Sequence, residues 1–331
     1  MRKLILVFST LLILLPTARS AAHSAVAAEV VAAGRTSLLI VDAGRDRLGL
    51  VDLGTDSVKT REIPFTIEST VIYDDAIRSF RAFGRPRGGG ALVLWSLHEV
   101  SGTLTSAKTS ATRVEAFVKN PAGRLFARLR DSHNIVYAGR VDDRVNAFTK
   151  SEAAKQPEPS DVVLSGSDVV SSDGTVLVDG TLQKLSVPLS ARNDRLWYET
   201  RLTSGWLLLD PMTGNVRWSR DGSLWEVRPS LGGVAFGTVM PYSVEAISDG
   251  SGAYVVSTIG NVKDQRRLLS RVDVSGNAIP VTEFGKDLGR LVAGPEAMWL
   301  VGGAVDERTI RFAPVTPSGI GAIRRVDWPD H

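Results

Sequence analysis

The sequence predicts an all-β protein assembled from short strands that return at a near-constant interval, and three observations carry this. Apolar, β-branched and aromatic residues gather in short runs such as "SLLIVD" (37–42), "TVLVDG" (175–180), "AYVVST" (253–258) and "MWLVGG" (298–303), the composition strands favour. Between the runs stand pairs that tolerate positive φ and close tight hairpins, among them Asp173-Gly174, Asp221-Gly222 and Gly276-Asn277. Strand–turn–strand units recur from residue 37 to residue 298 at an average of about 43 residues, the interval of a four-stranded propeller blade. The fold class is therefore a β-propeller of four-stranded blades, seven in number, with six and eight left open.

Taken in chain order, the first element is not a strand. Arg2 and Lys3 precede the apolar run Leu4 to Leu15, followed by Pro16 and a small-residue stretch containing Ala25-Val26-Ala27. That order is a secretory signal peptide, and its apolar core is shorter than the roughly 20 residues a bilayer span needs. Cleavage is expected near Ala27 or Ala28, with Ser20 as the other site, so residues 1–28 are the signal and 29–331 one propeller domain. The expected location is secreted or periplasmic. The formal charge of +3 belongs to the signal, because Arg2, Lys3 and Arg19 are three of the 39 basic residues; the remaining 36 match 36 acids. A neutral mature chain lacks the basic footprint that nucleic-acid binding requires and the polybasic segment that draws a protein to anionic lipid. With no cysteine, the chain has no disulfide, no thiolate metal site and no residue to carry a lipid anchor.

Past Glu29, helical periodicity is nearly absent. The stretch 244–284 fits a complete unit of four strands, and parts of it recur at 37–65, 91–118, 124–149, 162–188, 195–220 and 298–328. Residues 224–242 fit poorly, 75–83 are expected to form a short helix, and the polar, proline-containing 150–160 a surface loop.

Two units carry a resemblance. "LLLDPMTGNVRW" (207–218), a strand ending in Asp, a Thr-Gly turn and a strand with Trp, resembles the repeat of quinoprotein-like propellers. "SLLIVDAGRDRLGLVDLGTDSVKTREIPF" (37–65) resembles the YVTN-type repeat of secreted bacterial propellers. The resemblance implies a ring of radial sheets closed by pairing strands from both termini, with "EVVAA" (29–33) as the closing strand. It also raises a quinone-dependent dehydrogenase, whose cofactor is gripped by a vicinal cysteine pair, a stacking Trp and a calcium ion. This chain has no cysteine and no calcium-loop spacing, so the repeat is read as scaffold and no cofactor is expected. The tryptophans in strands (Trp95, Trp197, Trp206, Trp218, Trp299) are assigned to packing between blades.

Local catalytic motifs are missing. His98 and His133 stand alone in expected loops, and no paired-His spacing, GxSxG elbow or GxxxxGK[ST] loop occurs. The neighbours Asp74-Asp75, Asp142-Asp143 and Asp306-Glu307 would face opposite ways on a strand, and read as solvated turn acids. No catalytic or metal-binding residue is assigned. The leading functional reading is a non-enzymatic scaffold, a monomer that binds a protein or a small anionic ligand on one face of the disc. The alternative is a propeller hydrolase of the lactonase type, holding a metal in the central channel with side chains such as Asn134, Asn193 and Asn261. For the scaffold, the ligand-binding residues expected are Arg45, Arg130 and Arg201, with Arg47 and His133 beside them. All are expected on loops joining second to third strands, where the arginine guanidinium groups would converge on a carboxylate or phosphate.

Overall fold

The computed structural model describes residues 28–42, 46–119, 123–134, 136–141, 162–163, 169–171, 175–178, 181–184, 198–209, 214–220, 224–229, 231, 240–247, 250–259, 266–303 and 309–328. Residues 1–27, all but the last residue of the expected signal peptide, and the expected loop at 150–160 lie outside them. Every regular element among the described residues is a strand, and they form seven antiparallel sheets in chain order. The first runs β1 (Glu29–Ala33), β2 (Ser37–Asp42), β3 (Arg47–Asp52), β4 (Val58–Glu62). In the second, β5 (Phe65–Ile67) and β6 (Ile72–Asp74) both pair with β7 (Ser79–Pro86), followed by β8 (Val93–His98) and β9 (Leu104–Lys108). The third holds β10 (Arg113–Lys119), β11 (Leu125–Arg130) and β12 (Val136–Arg140), and the fourth β13 (Val162–Val163), β14 (Val169–Ser171), β15 (Thr175–Val178) and β16 (Thr181–Lys184). The fifth is β17 (Tyr198–Leu202), β18 (Gly205–Leu209), β19 (Val216–Ser219), β20 (Glu226–Arg228). The sixth is β21 (Met240–Ala246), β22 (Gly252–Ile259), β23 (Arg266–Asp273), β24 (Ala278–Phe284). In the seventh, β25 (Arg290–Ala293) and β26 (Met298–Gly303) lead to β27 (Thr309–Thr316), which pairs with both β28 (Gly319–Ile320) and β29 (Arg324–Asp327).

Burial explains the sequence pattern. Second strands are covered on both faces and read as continuous apolar runs: "GWLLL" of β18 is buried throughout, and β22 nearly so. Fourth strands lie at the outer edge, so β4 ("VKTRE") and β9 ("LTSAK") bury no residue fully. First strands form the inner edge, where β17 runs beside β21, β21 beside β25, and β25 beside β1. Neighbouring sheets share cores. Leu39, Leu50, Phe80 and Trp95 join the first to the second, Phe83, Leu94, Phe117 and Leu129 the second to the third. Leu207, Leu209, Val244 and Val255 join the fifth to the sixth, and Val256, Leu269, Leu300 and Ala313 the sixth to the seventh.

Two expectations need correction. Residues 75–83 are not helical: 75–78 form a turn, closed by Arg78 at φ 50°, and Ser79 begins β7, whose first six residues are all buried. A helix there would expose half of that apolar surface, and pairing with β8 keeps it covered. The closing strand also differs. β1 pairs with β2, and the C-terminal strand β29 pairs with β27, so the two termini do not share a sheet. The split pair β28 and β29 already fills the fourth position of the seventh sheet, leaving no edge for β1 to complete.

Side chains join the last sheet to the first instead. Val30, Ile40, Val51, Trp299, Phe312, Val326 and Trp328 form one buried cluster. The Trp328 indole N–H donates to Asp42 Oδ2 at 3.0 Å, and the Arg47 guanidinium lies 5.7 Å from the Trp328 ring centre. Arg324 donates to the Leu53 carbonyl at 2.6 Å and pairs with Asp56. Gly49 makes the space for the indole: a Cβ there would stand 2.3 Å from the ring.

Candidate functional site

The end of the sheets at which each first strand turns into the second is here termed the upper end. Its turns, 34–36, 75–78 and 294–297, crown the inner strands of the first, second and seventh sheets, and Lys119 ends the inner strand of the third. Arg35 donates to Asp75 through two nitrogens, Nε to Oδ1 at 2.6 Å and Nη2 to Oδ2 at 2.7 Å. On its other side Arg35 Nη1 stands 3.6 Å from Glu296 Oε1. Lys119 Nζ donates to the Tyr73 carbonyl at 3.3 Å. The order Glu296, Arg35, Asp75, Lys119 alternates in sign over four consecutive sheets. The Arg35 hydrogen bonds hold the Asp75 carboxyl below its ordinary range against the upward push of burial, and the Arg35 charge adds to them. Burial pulls the Lys119 ammonium down, and Asp75 and Asp74 oppose it.

Beneath the rim lies Glu99, with a fully buried side chain. It accepts from the Thr36 and Ser37 backbone amides at 2.6 and 3.0 Å, and from the Tyr73 hydroxyl at 2.7 Å. Burial pushes its carboxyl up, but the bonds from Thr36, Tyr73 and Ser37 outweigh this and hold it below its ordinary value. Burial and the same contact push the Tyr73 phenol up to about 12. Gly34 permits the approach, since a Cβ there would sit 2.4 Å from Glu99 Oε1. A single carboxylate thus ties the first sheet's turn to the second sheet.

Lower along the inner strands, the Ser243 hydroxyl accepts from the Leu291 amide at 3.0 Å, and Arg290 lies 3.6 Å from Glu29. Glu245 of β21 is partly buried here. Burial pushes its carboxyl up to about 7, and the Arg290 charge only partly offsets this. A carboxyl raised above its unfolded value of 4.5 penalises the charged form, and that cost grows as pH climbs from about 4.5 through 7. Glu245→Gln is therefore expected to melt like the wild type near pH 4 and to be more stable by about 1–3 kcal/mol near pH 8. Identical melting differences at both pH values would remove this account.

The residues expected from sequence stand as follows. Arg45 is outside the described residues, as are Asn193 and Asn261. Arg47 opens β3 and donates to Thr60 Oγ1 at 2.9 Å. Arg130 ends β11 at the lower end, where its guanidinium meets Glu115 at 2.6 Å, and Arg128 reaches the same carboxylate at 3.0 Å. His133 is an exposed turn residue next to Asn134, whose φ of 60° closes that turn. Arg201 sits in β17, opposite Trp206, beside the turn from first to second strand and therefore at the upper end. In an up-and-down sheet successive turns alternate between ends, so Arg130 and Arg201 are carried to opposite faces. Asp74 and Asp75 are not solvated turn acids either: Asp74 takes buried Arg81 at 2.9 Å, while Asp75 takes Arg35 from the neighbouring sheet. His98 ends β8 half-buried, with Nδ1 3.1 Å from the Ser101 hydroxyl. Sequence reading passed over Arg35, Glu99, Lys119 and Glu296, each of which has a partner 40 or more residues away on another sheet.

Among the described residues, no three His, Asp or Glu side chains gather as metal ligands would. The donor set does not fit a quinone either: no cysteine exists, and Trp218 packs under Arg228, its ring centre 5.3 Å from that guanidinium, against Gly276.

Solved structures similar to this chain are β-propeller proteins. One is KlHsv2 with loop 6CD replaced by a Gly-Ser linker, at 11% identity and TM-score 0.50, covering 92% of this chain and 99% of that one. Another is the Swd1 β-propeller domain from Myceliophteria thermophila, at 12% identity and TM-score 0.46, covering 90% and 95%. Selenomethionine-substituted virginiamycin B lyase from Staphylococcus aureus aligns at 11% identity and TM-score 0.40, over 92% and 85%. No protein-family model and no curated protein matches the sequence. The chain is a β-propeller; identities this low speak to its fold alone.

Proposed function

We propose that the protein is exported and acts as a non-enzymatic, monomeric, seven-bladed scaffold that binds its partner on the upper face. Residues 1–28 have the order of a signal peptide, and the seven sheets among the described residues support the blade number. The observation that carries the reading is the rim Glu296–Arg35–Asp75–Lys119. Its charges are held in place by contacts between sheets, and Glu99 below them is committed to donors from Thr36, Ser37, Tyr73 and Arg78. Groups fixed in this way present a rigid, alternating surface and lose little entropy when a complementary partner arrives.

Site-specific photo-crosslinking in the native host tests this. A crosslinking amino acid at exposed upper positions Thr36 or Ala76 should trap a discrete protein adduct, and one at lower positions Glu62 or Arg87 should not. Equal adducts from both faces, or none from the upper face, would count against the scaffold. Lactone hydrolysis that needs an added divalent metal and is lost on chelation would replace it with the hydrolase reading.

A further inference from the structure

A cross-strand row runs over the whole width of the sixth sheet. Glu245 of β21 stands opposite Tyr254 of β22, Tyr254 opposite Arg271 of β23, and Arg271 opposite Ile279 of β24. Directly paired residues share a face of the sheet, and this face looks toward the seventh sheet, because Tyr254 packs with Leu291, Met298 and Val315. At the upper end the two sheets part and leave a cavity of about 270 Å³, lined by Tyr254, Arg271, Ser251, Glu296, Met298 and Val315 among others.

The charge inside this cavity is unbalanced. Arg271 is half-buried, its Nε is out of contact with water and without a hydrogen-bond partner, and no carboxylate among the described residues pairs with it. Tyr254 is 4% exposed, and burial pushes its phenol up, with the Arg271 charge pulling the other way. Glu296 is the one acid in the lining among the described residues; it stands at the lip with its side chain 65% exposed, turned toward Arg35. A partly desolvated guanidinium without a counter-charge is costly, and an anion seated against it removes that cost. The hydroxyl of Tyr254 adds a donor, and Met298, Val315, Ile247 and Ala297 supply an apolar wall.

We infer that this cavity binds a small monocarboxylate with a short apolar body, its carboxylate on Arg271 and its body against Met298 and Val315. One planar guanidinium matches one carboxylate. A dianionic phosphate would need more positive charge than one arginine offers, and Glu296 at the lip opposes a second negative charge. The volume lies near the lower end of ligand pockets, about 300–1,000 Å³, which limits the ligand to a few carbons beyond its carboxylate. The ligand class is the anion expected from sequence, held by a different arginine. The proposal deepens the scaffold reading of the upper face and rests on it for its biological use.

Calorimetric titration of the full-length mature protein with sodium benzoate and sodium hexanoate is the test, with benzyl alcohol and inorganic phosphate as controls. A fragment of this size should bind one per chain at roughly millimolar affinity. Arg271→Met should weaken it by about tenfold or more, and Tyr254→Phe by a few-fold. Benzyl alcohol and phosphate should each bind at least about tenfold more weakly than benzoate. Tyr254→Phe leaves the ring in place, so it keeps the test open should Arg271→Met fail to fold. No saturable binding of either carboxylate, or binding indifferent to both substitutions, overturns the proposal. Tighter binding of phosphate overturns the ligand class. Rim crosslinks that persist without carboxylate binding would remove this site and leave the scaffold reading standing. Carboxylate binding without rim crosslinks would do the reverse.

Discussion

Replacing Trp328 by Ala is expected to destabilise the protein by about 3–5 kcal/mol, the cost of emptying a buried aromatic site. The expected fall in melting temperature is roughly 5–10 °C. The indole is 4% exposed and fills the junction between the last sheet and the first, where no backbone pairing holds the two together. Its loss removes packing from Val30, Ile40, Val326 and Phe312 at once, and leaves Asp42, 3% exposed, without the indole N–H. Trp328→Phe keeps most of the packing and loses the hydrogen bond, so about 1–2 kcal/mol is expected. Gly49→Ala should cost about 1–3 kcal/mol by the opposite route, since its new methyl group would overlap the indole. Denaturant melts of the three variants check this order, and amide exchange should show β29 and β1 losing protection together in Trp328→Ala. A change below 1 kcal/mol for Trp328→Ala would mean that something other than this junction holds the ring together.

Glu99→Ala should lower stability by about 2–4 kcal/mol near neutral pH. It strips the acceptor from the part-buried Thr36 amide and from the buried Ser37 amide and Tyr73 phenol. The remaining charge, Arg78, is 45% exposed and stays solvated, which keeps the loss below that of a fully buried broken pair. The folded carboxyl lies below its unfolded value of 4.5, so its contribution is complete above about pH 4.5 and fades as pH falls through the folded value. The difference between wild type and Glu99→Ala should therefore be largest near pH 7 and shrink toward pH 3. A gap of constant size across that range would show that the carboxylate's charge is not what these donors hold.

Much of the fold was legible in the residues. The runs at 37–42 and 298–303 became β2 and β26 without a residue of difference. The strands flanking the turn in "LLLDPMTGNVRW" pair antiparallel, Leu209 opposite Val216. The predicted four-strand unit at 244–284 is the sixth sheet, opened slightly earlier at Met240. What slipped was the position of each sheet's first strand. Inner strands are short or broken, as in β5 and β6, so several units read from sequence began at the second strand. The placement of Arg201 shifted from the same cause: its backbone falls beside a first turn and not a second.

By itself the amino-acid sequence determined the class and period of the structure, because alternating burial and turn chemistry act over a few neighbouring residues. It also determined what the chain cannot do with thiols, since it has none. Only the tertiary structure decided which charges meet. Arg35 finds Asp75 across 40 residues, Glu99 finds Thr36 across 63, and Trp328 finds Asp42 across 286. Such pairs depend on how two sheets face one another, and no local preference along the chain records that. The buried Arg271 Nε, without a hydrogen-bond partner among the described residues, is legible only in the same way, because a missing partner is a property of the space around a side chain.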